Sequence, residues 1–295
     1  MKLKLFLIGL LTTASLVAAA ESCLGGGSKV STPEVQKALS GILGNAKVAS
    51  VSNAPISGLY EVVIESGGRK LPIYVDCNLK YIVNGEIIDI NKRVSLTRER
   101  LQQLQSQANS EKEEKLVKIL GKDKVEMLKK EGLLEAVNIV DLKNLPKPNV
   151  AYGNGNIKIY VITDPQCPYC ARLHEEIKKV LGQRKDVSFE MIMYPLPFHK
   201  HASGVAQNII CQNDNAAKQK MLDAAFSYTA KGDESGLASL EKPCSVGKQA
   251  VDNNLKYGQA NSINGTPTII FPKGVAISGA LPADKLNKLI DILKW

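Results

Sequence analysis

Ile157-Lys158-Ile159-Tyr160-Val161-Ile162-Thr163-Asp164-Pro165-Gln166-Cys167-Pro168-Tyr169-Cys170 runs from an apolar stretch directly into a pair of cysteines. Residues 157–162 read as a buried strand, and Asp164-Pro165 ends it. Beyond the pair, Leu173, Ile177, Val180 and Leu181 recur at helical spacing. The cysteines therefore fall on the first turn of a helix that leaves a strand. With Cys167 as N-cap, Pro168 takes the first helical position, where its missing N–H costs nothing. The N–H groups of Tyr169 and Cys170 then point back at the Cys167 sulfur, and with the helix dipole they favour a thiolate there. Cys170 lies one turn along the same face, which keeps the two Cα atoms within the roughly 4.4–6.8 Å that a disulfide needs. Cys167 is expected to be the exposed attacking sulfur and Cys170 the more buried resolving one.

Two other uses of a C-x-x-C compete with dithiol chemistry. Half of a zinc site needs a second pair of ligands, and only His199 and His201 offer one. A static structural disulfide is the other. The strand–C-x-x-C–helix context favours redox chemistry over both, so no metal and no cofactor are expected. Tyr169 either packs beside the motif or covers the helix surface. His174, one turn past Cys170, reads as a surface histidine, with a proton-relay role as the alternative. Asp164 reads as a strand terminator ahead of proline, and His199-Lys200-His201 as a loop and helix start.

A second signal lies downstream. Asn264-Gly265-Thr266-Pro267-Thr268-Ile269-Ile270-Phe271 sets a Thr-Pro just before a short apolar strand. A proline there fits a cis bond or an edge position. Together with the cysteine pair, it resembles the thioredoxin fold. In that fold the cis-proline loop packs against the active-site disulfide and holds the substrate strand, which implies substrate-binding roles for Thr266, Pro267, Pro168 and Tyr169.

The chain of 295 residues has room for two domains. Its charge of +9 is spread through many lysines, so nucleic acid is not expected as a partner. Lys2 and Lys4 precede an apolar run, Leu5 to Val17, that ends in Ala18-Ala19-Ala20. This order reads as a cleavable secretory signal over residues 1–20, too short for a membrane helix. Lipidation at Cys23 is set aside because Ala20-Glu21-Ser22 is a poor lipobox. Export places the six cysteines in an oxidising compartment. Cys211 and Cys244 stand on either side of a helical stretch, which suits a structural bridge. Closing that loop of about 34 residues stabilises by roughly 3–4 kcal/mol. Cys23 and Cys77 remain, to pair with each other, to cross-link a dimer or to stay free.

Residues 24–32 read as a flexible start and Pro33 to Leu43 as a short helix. Strands follow at Gly58–Glu65 and Lys70–Val75, with a turn at Ser66-Gly67-Gly68. A hairpin of Tyr81–Val83 with Glu86–Ile90 is predicted at Asn84-Gly85. A module of some 60 residues is small for an independent core and leaves an edge strand to cover, so it reads as a dimerisation domain. Ser95 to about Leu142 reads as helical, with one helix over Thr97–Gln107, a capping box at Ser110-Glu111-Lys112-Glu113, and mixed charges making a solvated face. After Pro146-Lys147-Pro148 come Val150, the strand and helix above, and a strand from Val187 to Tyr194. Helices at His201–Cys211, Ala216–Ala230 and Ser245–Gly258 precede the Thr-Pro loop. A hairpin through Lys273-Gly274 and a helix from Pro282 close the chain.

This order, a strand module, a helical linker and then a thioredoxin domain with a helical insertion, resembles the periplasmic disulfide isomerase family, DsbC and DsbG. Its marks are Thr163-Asp164-Pro165, Cys167-Pro168-Tyr169-Cys170, Leu173-His174-Glu175, the pair Cys211 and Cys244, and Gly265-Thr266-Pro267. The fold class expected is α+β. It comprises a small β-rich, cystatin-like dimerisation domain (33–94), a helical linker (95–148) and a thioredoxin-fold domain with a helical insertion (149–295). The resemblance implies a V-shaped homodimer that acts on misoxidised or unfolded periplasmic proteins through Cys167 and Cys170. It also implies a DsbD-type membrane electron donor, a structural Cys211–Cys244 disulfide and chaperone activity. Pro168-Tyr169 matches the DsbG-type dipeptide better than the Gly-Tyr of DsbC-type enzymes. The alternatives are a DsbG-like reductase of protein sulfenic acids and a DsbA-like dithiol oxidase.

Overall fold

A computed structural model describes residues 30–44, 46–66 and 69–294. The predicted signal segment, Cys23, most of the predicted flexible start and the Gly67-Gly68 turn lie outside the described residues. The chain divides into two compact units, Met1–Gln107 and Ala108–Trp295.

In the first unit, α1 (Thr32–Leu43) opens with Pro33 in its first turn, and the Ser31 N–H donates to Glu34 at 2.8 Å. Strands β1 (Lys47–Asn53), β2 (Leu59–Ser66), β3 (Arg69–Asp76) and β4 (Ile82–Val83) form an antiparallel sheet in that order. Val35 and Leu39 of α1 pack onto Val48, Tyr60, Val62, Ile73 and Val75 of the sheet. Strand β1 is not legible in the sequence, because a bulge between Val48 and Ser50 breaks the alternation of its apolar residues.

The predicted hairpin at Asn84-Gly85 does not form. Strand β4 pairs back onto β3, Tyr74 opposite Val83. Strand β5 (Ile88–Asp89) turns away to pair with β6 (Val94–Ser95). The reason is competition from better partners. The Leu96 N–H donates to the Ile87 carbonyl and the Ile87 N–H donates to the Thr97 hydroxyl, each at 2.9 Å.

Helix α2 (Leu96–Leu120) is one continuous helix rather than two, so no cap forms at Ser110. The residues around Ser110 are mostly Gln, Glu, Lys and Leu, all good helix formers, and they outweigh one serine. Gly121 stops it with φ +87°, a conformation glycine adopts without strain.

In the second unit, α3 (Lys122–Lys130) follows, then β7 (Val137–Ile139), β8 (Val150–Gly153) and β9 (Ile157–Thr163). Next come α4 (Pro168–Gln183), β10 (Val187–Met193), α5 (Ala202–Ile210), α6 (Asn215–Lys231), α7 (Glu234–Ser239) and α8 (Ser245–Ala260). The chain closes with β11 (Thr268–Ile270), β12 (Val275–Ser278) and α9 (Ala283–Leu293). The sheet order is β7-β12-β11-β9-β10-β8, with β9 parallel to β10 and the other pairs antiparallel. This is a thioredoxin fold with helices α5–α8 inserted between β10 and β11. Ile159 and Val161 of β9 join a core with Leu173, Ile177 and Val180 of α4 and Leu286 and Leu289 of α9. Ile162 joins a second core with Tyr257 of α8 and Ile263.

Two findings revise the reading of residues 95–142 as helical. Residues 137–139 form an edge strand, held by pairing with β12, Val137 opposite Ile277. Three residues carry no periodicity of their own, so only the pairing makes them a strand. Second, Leu116, Leu120, Val125 and Leu128 are buried in the same core as the helix that carries the cysteines. The charges of this segment stay outside while one apolar stripe docks. Leu128→Ala should therefore cost about 2–5 kcal/mol, as a core cavity does. Urea denaturation of the purified variant measures it; a loss below about 1 kcal/mol would show that the stripe is peripheral. Among the described residues, no helix is long and apolar enough to cross a membrane.

Candidate active site

The parallel pairing of β9 with β10 ends at Thr163, and Asp164-Pro165 turns the chain toward α4. Cys167 is the N-cap of α4 in an extended conformation, and Pro168 stands in the first turn. The Ala171 N–H donates to the Cys167 carbonyl at 3.0 Å and closes that turn. The Thr266–Pro267 peptide is cis and brings its loop over the pair. Cys167 Sγ donates to the Thr266 carbonyl at 3.4 Å, and Cys170 Sγ accepts from the Asp164 N–H at 3.4 Å.

Both sulfurs are buried, Cys167 at 3% exposure and Cys170 at 1%. The expectation of an exposed Cys167 fails because the Thr266 loop lies against it. What separates the two thiols is acidity. The Cys167 thiol is lowered to about 6, first by a hydrogen bond from the Cys170 side chain. Burial opposes this, while contacts with Thr266 and the N–H groups of Cys170 and Tyr169 add to it. Cys170 is pushed well above its usual value by burial, then by its hydrogen bond to Cys167 and by the charge of that neighbour. At neutral pH the first sulfur is a thiolate and the second a thiol. The Thr266 hydroxyl is buried with no partner of its own.

Other residues of the motifs fall as follows. Tyr169 is 56% exposed, with the Arg172 guanidinium 5.0 Å from its ring. Asp164 is fully buried and more than a strand terminator. Its carboxylate accepts from the Gln166 and Leu196 N–H groups at 2.7 Å each and pairs with His199 Nδ1 at 2.8 Å. Burial raises its carboxyl despite those partners. His201 is the residue before α5; its Nδ1 pairs with Glu241 and its Nε2 lies 3.1 Å from Glu234. The two histidines that might have completed a zinc site thus face carboxylates and not the cysteines.

His174 is not a surface residue. It is 1% exposed, and its Nε2 meets Asp223 of α6 at 2.6 Å. The Tyr152 hydroxyl of β8 donates to the same carboxylate oxygen at 3.0 Å. The Tyr152 and Phe226 rings each stand 4.9 Å from the imidazole. Asp223 and Tyr152 were not candidates in the sequence, since nothing local links residues 152, 174 and 223.

Cys211 and Cys244 are joined in a disulfide with Cα atoms 6.8 Å apart, holding the end of α5 to the start of α8. Cys77 is also disulfide-bonded.

Comparison with known proteins places this geometry. Residues 147–294 match the family described as a thioredoxin-like domain, and residues 17–98 match the disulfide bond isomerase protein N-terminal domain. A probable thiol:disulfide interchange protein DsbC of Bordetella pertussis is 27% identical over 243 residues, covering 81% of this chain and 67% of that one. The thiol:disulfide interchange protein DsbC of Dickeya dadantii is 28% identical over 139 residues, covering 46% and 51%. The crystal structure of a disulfide interchange protein from Neisseria gonorrhoeae is 30% identical, covering 50% of this chain and 96% of that one, with a TM-score of 0.39. The thioredoxin-like match alone takes in half of this chain, with an isomerase N-terminal domain ahead of it. The chain accordingly belongs to the DsbC family of thiol:disulfide interchange proteins, enzymes of disulfide oxidoreduction.

Proposed function

We propose that this chain is a periplasmic disulfide isomerase and reductase in which Cys167 is the nucleophile and Cys170 the resolving thiol. The observation that carries this reading is the opposite displacement of the two thiols, one lowered to about 6 and the other raised. Under the proposal the Cys167 thiolate attacks a misplaced disulfide and forms a mixed disulfide with the substrate. A thiol of the substrate then displaces Cys167, which isomerises the bridge, or Cys170 attacks Cys167 and releases the substrate reduced. The Thr266 carbonyl meets the Cys167 sulfur, and the loop of Thr266 and Pro267 offers backbone to an extended substrate. Pro168 and the exposed Tyr169 follow Cys167 on the first turn of α4, within reach of the same substrate. Cys211–Cys244 is a structural bridge in this scheme.

The first twenty residues direct export, and the substrates are misoxidised or unfolded exported proteins. A DsbD-type membrane donor returns the pair to its reduced state. The N-terminal module of residues 33–94 joins two copies. Its short edge strand β4 and the exposed Tyr81, Ile88 and Ile90 support that role, and they also suit chaperone contacts with unfolded chains.

The test is capture. A Cys170→Ala chain expressed with its export signal should accumulate mixed disulfides through Cys167, seen as reducible adducts whose partners are cysteine-rich exported proteins. A variant that collects no adducts, or adducts through another cysteine, would sink the assignment.

A further inference from the structure

We propose that His174, held by Asp223, is the proton acceptor for the Cys170 thiol in the resolving step. The inference rests on the reading of Cys167 and Cys170 as attacking and resolving thiols. Resolution has a chemical difficulty: Cys170 must attack as a thiolate, yet its thiol is buried, 1% exposed. Something in its dry surroundings has to take its proton.

The geometry points to one group. Cys170 and His174 are four residues apart on α4, hence on one face, with Cβ atoms roughly 5–6 Å apart. Both line one narrow crevice, too tight for a water molecule and walled by Val161, Met191 and Phe226. His174 Nδ1 is buried with no hydrogen-bond partner. Its tautomer is set from the other side of the ring. Burial works to raise the Asp223 carboxyl, but the hydrogen bond and charge of His174, the hydrogen bond from Tyr152 and the charge of Lys178 leave it below its usual value. An ionised carboxylate only accepts, so Nε2 carries a hydrogen, and in the neutral imidazole Nδ1 keeps the lone pair. A nucleophile, a base and a carboxylate that orients the base then stand in sequence.

The charged and titratable groups around the imidazole are few: Cys170 on its own helix, Asp223 from α6, Tyr152 from β8, and Lys178, whose Nζ lies 3.9 Å from the Asp223 carboxylate. The strands below contribute Val161, Thr163 and Met191, none ionisable. Asp164 is the rival base, but its carboxylate is already engaged by Gln166, Leu196 and His199.

The step balances. His174 Nδ1 takes the Cys170 proton, and the Cys170 thiolate attacks Cys167 Sγ of the mixed disulfide. The Cys167–substrate S–S bond breaks, the Cys167–Cys170 S–S bond forms, and the substrate sulfur leaves with the electron pair. The enzyme dithiol loses two electrons and the substrate disulfide gains them. The proton held on the imidazole, opposite the Asp223 carboxylate, ends on the departing thiol. Isomerisation by a substrate thiol bypasses Cys170, so His174 bears on the reductive branch alone.

The experiment is rapid acid quench of the reduced full chain with glutathione disulfide, following the mixed disulfide by mass. In His174→Gln the resolving step should slow by about a hundredfold at neutral pH. It should also change to a rate that climbs in proportion to hydroxide. Formation of the mixed disulfide should stay within about twofold of wild type, an internal control that a general loss of structure would not pass. Asp223→Asn, at a partly exposed carboxylate, should slow the same step less and in the same direction. A His174→Gln resolving step within about threefold of wild type overturns the proposal, as does equal slowing of both steps or transfer of the pH effect to Asp164→Asn. If His174→Gln does not fold, an unchanged resolving step in Asp223→Asn overturns it. A wild-type chain that never forms the Cys167 adduct would instead defeat the reading on which the proposal rests.

Discussion

Cys167→Ala is expected to eliminate disulfide reduction and isomerisation, leaving only the rate of the uncatalysed exchange. The expectation follows from the division of acidity between the two thiols. The sulfur lowered to about 6 supplies the thiolate at neutral pH, whereas the raised, more deeply buried thiol of Cys170 does not. Removing Cys167 therefore removes the only competent nucleophile of the pair. Cys170→Ala should behave differently, losing reduction yet keeping isomerisation of substrates that carry a free thiol of their own. The comparison is made with insulin reduction and with refolding of a scrambled, multiply bridged protein. Measurable rescue by Cys167→Ala, or equal loss in both variants, would contradict the assigned order. In wild type, alkylation of Cys167 should follow a titration with its midpoint about 6.

The second large effect is a pH-dependent stability confined to the reduced protein. Cys167 is depressed in the folded state relative to a free thiol, so its contribution is present above the unfolded value and is lost as pH falls through about 6. Between pH 6 and about 8 the reduced chain should gain stability by on the order of 1 kcal/mol for each pH unit. Cys170 carries the opposite sign: its raised value favours folding below the unfolded value and withdraws that support above it. The rise should therefore flatten beyond pH 8. Denaturant midpoints of the reduced protein against Cys167→Ser, across this range, isolate the term. Parallel curves would mean that the thiolate is not stabilised by the fold. The same stabilisation makes the dithiol the favoured form, since the oxidised pair has no thiolate to stabilise.

Much of this centre was open to inspection in the chain. Cys167 at the N-cap, Pro168 behind it and Thr266-Pro267 ahead of β11 are local features, each set by a few neighbouring residues. The amphipathic stripe of α9 and the apolar run of β9 are legible for the same reason: period and capping are properties of consecutive side chains. Where local chemistry met a stronger distant partner, it lost. Asn84-Gly85 reads as a hairpin, yet β4 and β5 each found a different strand. Residues 137–139 became sheet only because β12 lay beside them.

The amino-acid order by itself specified the cysteine pair, the strand–turn–helix that presents it and the proline loop opposite, because these depend on spacing along one backbone. Tertiary packing alone decided that Cys167 would be covered by Thr266 and that His174 would turn inward to meet Asp223 and Tyr152. It also decided that Asp164 would gather three hydrogen-bond partners. Burial and hydrogen bonding between residues dozens of positions apart are what shift a thiol or orient an imidazole, and no periodicity in the chain records them.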